Sequence, residues 1–363
     1  MPRRTIAPSC GRRGGKGTTP GGSGLATDVG VDLGTASVLI FVRGKGVVLR
    51  EPSVVAVAAE TGRVLAVGEE ARRMLGRTPG TIVAVRPLRE GVIADFDLTE
   101  AMLQHFLGRV LGRRTVLRPS VVVCIPSACT AVERRAVIEA AVRAGASRAL
   151  VIQEPLAAAL GAGLEITQPR GHLVCDIGGG TTDVAVISLG GVVTAGSIRV
   201  GGDRCDEAIV RYLRLKHNLG VGDRTAEELK IAIGTAAPDL RDEEAEVRGR
   251  DLVTGLPRSI TVRSSDLAEA MAEPLSEILH LIREVLERTP PELAADIADQ
   301  GLVLTGGGAL LHGMDTLISR ETGLAVHIPD DPISCVARGT GRALDFLGCH
   351  PDHVDFLRKV SVV

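Results

Sequence analysis

Apolar positions along this chain follow two periods that take turns. Runs at 29–33, 37–42, 47–49 and 53–58 are short, and either continuous or alternating, which predicts strands; Gly44 and Gly46 mark a hairpin among them. Apolar spacing of three and four residues predicts a short helix over 68–76 and a longer one over 99–111, with Thr99 as its cap. The run from Ser120 to Pro126 predicts a buried strand, followed by a helix at 130–144, a strand at 149–152 and a helix at 156–164. Strand character returns over 173–200, then come helices at 203–218 and 225–235, and a charged excursion with strands near 244–262. Helices at 264–289 and 291–299, a strand at 301–305, a helix at 309–321, a strand at 324–328 and a helix at 333–347 complete the pattern. A meander followed by β-α-β-α, stated twice, predicts a duplicated α/β fold.

Composition fits this plan. The chain has 363 residues, 45% of them apolar, enough for two domains with their own cores. Net charge is −2, but Arg3, Arg4, Arg12, Arg13 and Lys16 stand in an acid-free stretch over 1–27, leaving −7 on the rest. That Gly-, Pro- and Thr-rich stretch predicts a disordered basic tail, either an inert leader or a tether for an anionic surface. It has no apolar segment of signal-peptide type, and no 18-residue apolar run free of charge predicts a membrane span. Seven scattered cysteines without C-x-x-C spacing point to a reducing cytosol with structural thiols. Aromatics at 2% and the lack of tryptophan argue against a base-stacking nucleic-acid platform.

The candidate chemistry begins with a repeated turn. Val29 to Ser37 and Val174 to Asp183 each run an apolar strand into Asp-x-Gly and then a small, Gly- or Thr-rich turn. Glycine lets successive N–H groups approach an anion, which suits a polyphosphate, and Asp32 and Asp176 stand where an oxygen ligand could hold a hard cation through water. Either turn alone also fits an ordinary Asp-capped hairpin. A third cluster, Gly306 to Gly308 after the strand at 301–305, predicts a strand, a glycine turn and a helix N-terminus. Walker A and G-x-G-x-x-G spacings do not occur, which removes the P-loop and Rossmann readings. Glu154 follows a strand at the crossover between halves, where it could orient water or simply favour a helix N-terminus. Glu227 and Lys230, three apart on one helical face, could grip a ribose and base or form a surface ion pair.

Ten stretches in order then carry a family resemblance: Asp32-Leu-Gly-Thr-Ala36, Gly44-Lys-Gly46, Glu51-Pro-Ser-Val54, Met74-Leu-Gly-Arg-Thr-Pro79, Gly91-Val-Ile-Ala-Asp95, Val132-Glu-Arg-Arg-Ala136, Gly201-Gly-Asp203, Asp206-Glu-Ala-Ile209, Val247-Arg-Gly-Arg250 and Leu304-Thr-Gly-Gly-Gly308. With these, residues 28–347 resemble the actin-like ATPases, and within them the MreB and Mbl family of bacterial cell-shape proteins. The resemblance implies a duplicated actin-like fold of two RNase H-like halves and four subdomains. Lobe I would take 28–170 plus 340–363, with a small subdomain about 55–95; lobe II would take 171–339, with a small subdomain about 208–262. It implies ATP and Mg²⁺ as ligands, with Asp32 and Asp176 on the metal side. Thr35, Ala36, Ser37, Gly178, Gly179, Gly180 and Thr181 would wrap phosphate; Glu227, Glu228, Leu229 and Lys230, with Gly306, Gly307, Gly308, Ala309 and Leu310, would hold ribose and adenine. Glu154 with Thr181 would position the attacking water.

The resemblance also implies ATPase activity, which Ser37 in place of Asn could slow, tied to filaments of self-assembled copies on the inner face of the cell membrane, with RodZ, MreC, MreD and the cell-wall machinery as partners. Val116 and Leu117, in the loop where family members insert into lipid, would together contribute about 3–6 kcal/mol if fully buried, and the five basic tail residues about 5 kcal/mol at most. Against the family pattern this chain has Ser37-Val38 for Asn-Thr, Gln153 and Asp183 for Glu, Cys205 for Phe and Glu228 for Arg. Two rivals remain on the residues: a non-polymerising chaperone- or kinase-like ATPase of the same fold, and a nucleotide-binding scaffold with little turnover.

Overall fold

The computed structural model describes residues 28–111 and 118–349. The basic tail 1–27, and Val116 and Leu117, lie outside the described residues.

Two five-stranded sheets share one topology. Val29–Leu33 pairs antiparallel with Ser37–Val42, which pairs antiparallel with Gly46–Pro52; on its other side Val29–Leu33 runs parallel to Ser120–Ile125, itself parallel to Arg148–Gln153. His172–Ile177 repeats the plan with Thr182–Ser188 and Gly191–Ile198 antiparallel, and Leu302–Thr305 and Val326–His327 parallel. Strand order in both is third, second, first, fourth, fifth in chain sequence. The duplication read from the hydrophobic pattern is therefore present strand for strand.

Strands this apolar need cover on both faces. In the second sheet Leu173, Cys175 and Ile177 face a core that includes Ile209 of the helix Gly202–His217 and Met271 and Ile282 of the helix Ser264–Glu287. Val174, Ala185 and Ile187 face the other way, into a core shared with Val122, Cys124 and Ile152 of the first sheet. Two helices fill that shared layer, Glu154–Ala162 and Cys335–Cys349. The first is buried from Pro155 through Gly161, as expected of a helix apolar on every side. Its small residues decide how closely the second can approach. A Cβ on Gly161 would lie 1.7 Å from the carbonyl oxygen of Cys335, and one on Gly339 1.7 Å from that of Ala157.

Each half also carries a small three-stranded sheet: Val64–Val67, Val55–Ala58 and Ile82–Val85 in the first, Leu219–Gly220, Glu244–Asp251 and Pro257–Arg263 in the second. The strands Val64–Val67 and Ile82–Val85 are additions to the sequence reading. Val64, Leu65 and Val83 are exposed, so no buried run marked them. The helix expected over 68–76 is a single turn, Glu69–Arg72. Asp95, not Thr99, caps the long helix of the first half, accepting from the Leu98 N–H at 3.0 Å, and that helix starts at Phe96. No helix among the described residues is long and apolar enough to cross a membrane.

The helix–helix contact is directly testable. Gly339→Ala is expected to lower unfolding free energy by about 1–3 kcal/mol through overpacking. Gly108→Ala, at a helical position where a Cβ meets nothing within 4 Å, is expected to be neutral or stabilising. Thermal melting of the two variants checks the contrast.

Candidate functional site

Both sheets deliver an aspartate to the same place. Asp32 and Asp176 occupy equivalent positions, one residue before the end of the first strand of each half. The Asp32 carboxylate accepts from the Cys124 thiol at 3.1 Å, and Asp176 from the Thr305 hydroxyl at 2.6 Å. Burial pushes Asp176 up to about 7, against the opposing pull of the Thr305 bond, and the charges of Asp32 and Asp183 add to the rise. Burial likewise pushes Asp32 up to about 6, with the Cys124 bond acting downward. Asp32 keeps some access to solvent while protein surrounds it on its other sides.

Two more carboxylates join them. Glu154 is the first residue of its helix instead of the last of the preceding strand. Burial, followed by the charges of Asp183, Asp176 and Asp32, holds its carboxyl well above the usual range. Asp183 lies opposite Asp176 in the hairpin ladder, is fully buried and accepts from the Ser127 N–H of the other half at 2.6 Å. Burial raises it to about 6, opposed by the Ser127 bond. No arginine or lysine is among the groups that shift these four. Such a donor set is oxygen-rich and short of positive charge, which fits a hard divalent cation. Among the described residues no group of three or more His, Cys, Asp or Glu side chains is arranged to hold a metal. The fit is therefore to a cation held largely through water and a ligand's own oxygens.

The two turns are closed alike, Gly34 N–H to the Ser37 carbonyl at 3.1 Å and Gly178 N–H to the Thr181 carbonyl at 2.9 Å. They face each other at close range. A Cβ on Gly179 would lie 2.6 Å from the Ala36 Cβ, and one on Gly180 2.5 Å from the Thr35 Oγ1. The carbonyls of Gly178 and Gly179 accept from the first N–H groups of the helix Gly202–His217, at 3.0 and 2.8 Å. Since C=O and N–H point oppositely across a trans peptide, the N–H groups of Gly179 and Gly180 are aimed away from that helix. This is how backbone amides are presented to an anion.

The third glycine cluster packs behind the second turn. A Cβ on Gly306 would lie 2.3 Å from the Ile177 carbonyl oxygen and one on Gly308 2.2 Å from the Ile177 Cγ2, whereas Gly307 meets open space. Ala309 is buried and Leu310 exposed. The helix expected over 309–321 is corrected here: Gly307–Leu310 is a lone 3₁₀ turn and the helix proper is Met314–Thr322. His312 bridges to Thr235 and accepts the Ala236 N–H at 2.8 Å, and Gly313 is left-handed at φ 72°, so the chain cannot be helical there.

On the remaining wall, Lys230 donates to the Gly202 carbonyl and pairs with Asp206, both at 2.8 Å. Glu227 pairs with Arg72 of the opposite half at 3.2 Å. The Glu228 side chain turns outward to Arg224 at 2.9 Å, and Leu229 lies in the core of the second half. Sequence reasoning missed the parts that reach across the halves. Gly91 donates its N–H to the Thr35 hydroxyl at 3.0 Å, and a Cβ on Gly91, at φ +76°, would lie 2.6 Å from the Thr181 Cγ2. Its motif, Gly91 to Asp95, was visible, but nothing local tied it to the turns. Two cavities, one of 290 Å³ between Leu164 and His172 and His327, the other of 410 Å³ along the helix Ser264–Glu287, lie outside this cluster.

Residues 26–350 match the family model described as MreB/Mbl protein. The cell shape-determining protein Mbl of Bacillus subtilis (strain 168) is 53% identical over 321 residues, which is 88% of this chain and 96% of that protein. The cell shape-determining protein MreB of Escherichia coli (strain K12) is 52% identical over 332 residues, 90% of this chain and 95% of that protein. Among solved structures, MreB5 of Spiroplasma citri bound to AMPPNP aligns with a TM-score of 0.86 at 38% identity, covering 90% of this chain and 98% of that one. A MamK double helical filament subunit aligns at 0.76 with 23% identity, covering 88% of this chain and 99% of that one, a likeness of fold.

The raised carboxylates set a pH dependence for the ligand-free protein. With Asp176 moved from 3.8 to about 7, its contribution to stability is complete below pH 3.8 and is lost as pH rises through about 7; taken alone it amounts to about 4 kcal/mol. Asp176→Asn, which keeps an acceptor for Thr305, is expected to be the more stable protein at pH 8 without nucleotide, and to lose that advantage towards pH 4. Melting temperatures across that range check the sign.

Proposed function

The chain belongs to the MreB/Mbl family of actin-like proteins, and on that footing we propose that it is a cell shape-determining, ATP-driven filament protein working at the inner face of the cell membrane. The observation that carries the reading is the cluster of Asp32, Glu154, Asp176 and Asp183, contributed by both halves and lying beside two facing glycine turns. MreB5 of Spiroplasma citri, 38% identical and solved both with AMPPNP and with ADP, supports an adenine nucleotide as the ligand.

Asp32 and Asp176 would hold Mg²⁺ mainly through water, and the cation would supply charge neutralisation to the phosphates. The turns Thr35–Ser37 and Gly178–Thr181 wrap the phosphate chain with backbone N–H groups and hydroxyls. Lys230, anchored to the Gly202 carbonyl, and Glu227 reach the ribose and base from one side, and the Gly306–Leu310 turn borders them from the other. Glu228 and Leu229 contribute through the backbone, since their side chains are engaged elsewhere. Glu154 with Thr181 orients the attacking water. Burial and the charges of Asp183, Asp176 and Asp32 raise the Glu154 carboxyl; a divalent cation beside Asp32 and Asp176 would act in the opposite direction, towards the carboxylate that can accept a proton from water.

Filament growth would multiply weak membrane contacts from Val116, Leu117 and the basic tail by avidity. RodZ, MreC and MreD are the proposed partners in directing wall synthesis. Glu154→Ala is expected to slow phosphate release by about 100-fold or more while ATP binding persists. Release at the wild-type rate would remove Glu154 from catalysis. ATP-dependent sedimentation of the wild-type chain with anionic liposomes is expected, and soluble protein at every concentration would overturn the filament reading.

A further inference from the structure

Arg86 stands apart from every group used so far. It follows the strand Ile82–Val85 in the first half, yet its guanidinium lies 2.8 Å from Asp203 of the second. Burial works against its charge, but Asp203, Glu227 and Asp206 together hold it above its usual range. All three acids belong to the nucleotide wall of the opposite half. Glu227 is on the proposed ribose side, Asp206 pairs with Lys230, and the Asp203 N–H bonds the carbonyl of Gly179 within the second glycine turn. A second arginine of the first half, Arg72, completes the contact by pairing with Glu227 at 3.2 Å. Both pairs are half-buried and join residues 117 and 155 positions apart.

Asp203 has two bonds with different tasks. Its backbone fixes the glycine turn from behind, and its carboxylate is held from across the cleft. Pulling the halves apart therefore strains the turn whose N–H groups face the phosphates. Directly beside it the first half is also in contact: a Cβ on Gly180 would lie 3.0 Å from the Glu90 nitrogen.

We propose that Arg86 is the electrostatic clasp of this cleft, a positioning residue that, by holding Asp203, ties the second glycine turn to the first half and sets the rate at which nucleotide leaves. This rests on the reading of the cleft as a nucleotide site. The Arg86–Asp203 pair opens first, the turn then loses its support, and the phosphates are released. Arg72 acts in the same direction on the ribose side through Glu227.

The test is dissociation of a fluorescent ATP analogue, chased with excess ATP in the presence of Mg²⁺. Arg86→Ala and Arg86→Gln are expected to speed release about 5- to 20-fold, with melting temperatures close to wild type. The exchanged pair Arg86→Asp with Asp203→Arg is expected to recover most of the wild-type rate, which a merely structural role for either side chain would not give. Wild-type release is expected to accelerate between 50 and 500 mM salt, on the order of the screening of a half-buried pair, and Arg86→Gln to be nearly insensitive to salt. Release from Arg86→Gln within twofold of wild type, or equal salt dependence in both, would overturn the clasp. A wild-type chain that binds no ATP analogue would instead overturn the nucleotide reading beneath it.

Discussion

Four carboxylates gathered where the two halves meet, Asp176 and Asp183 buried and Asp32 and Glu154 partly so, are the constraint to which the rest of this molecule answers. Like charges in low dielectric repel, and nothing in the ligand-free protein neutralises Asp32, Glu154, Asp176 and Asp183 except protons and a few hydrogen bonds. Two separately cored halves are held around that repulsion by an apolar layer and by bonds between the halves, such as Ser127 to Asp183. The site is thus built at a cost to stability that a divalent cation would relieve, and a polyphosphate would enter with that cation. Affinity for the ligand and tension in the empty protein share this origin.

How much of this was legible in the residues follows from distance along the chain. The duplication was readable because each half repeats the same order of apolar runs, and Asp32 and Asp176 because each ends a strand in the same local phrase. Glu154 could be chosen from its place between a strand and a helix. Asp183 was noticed as a departure from the family pattern, but its weight comes from facing Asp176 across a ladder and Ser127 across a cleft, and neither neighbour is written in its flanking residues. The same holds for Arg72 and Arg86. An isolated arginine beside an exposed short strand looks like solvated surface until folding brings an acid from the other half to it.

Local errors had local causes. Propensity placed a helix directly after Gly308, but Gly307–Leu310 closes as a lone 3₁₀ turn, Thr235 bridges His312 and Gly313 is left-handed, which postpones the helix to Met314. Thr99 looked like a cap, yet it is buried and its hydroxyl is spent on the Asp95 carbonyl, so the capping role passes to Asp95. In the first case a contact far along the chain overruled a sound local preference; in the second an acid four residues upstream took the role first.

The crossing of Glu154–Ala162 over Cys335–Cys349 has a mechanical consequence. Where Gly161 and Gly339 bring main chain against main chain, no side chain stands between the helices to change rotamer and absorb displacement. Any rotation of one helix against the other there would turn both as stiff bodies, and a small turn at their crossing would be magnified at their far ends. Because Glu154 begins one of the crossing helices, the axle and the chemistry are parts of a single rod. Turning one necessarily re-aims the other.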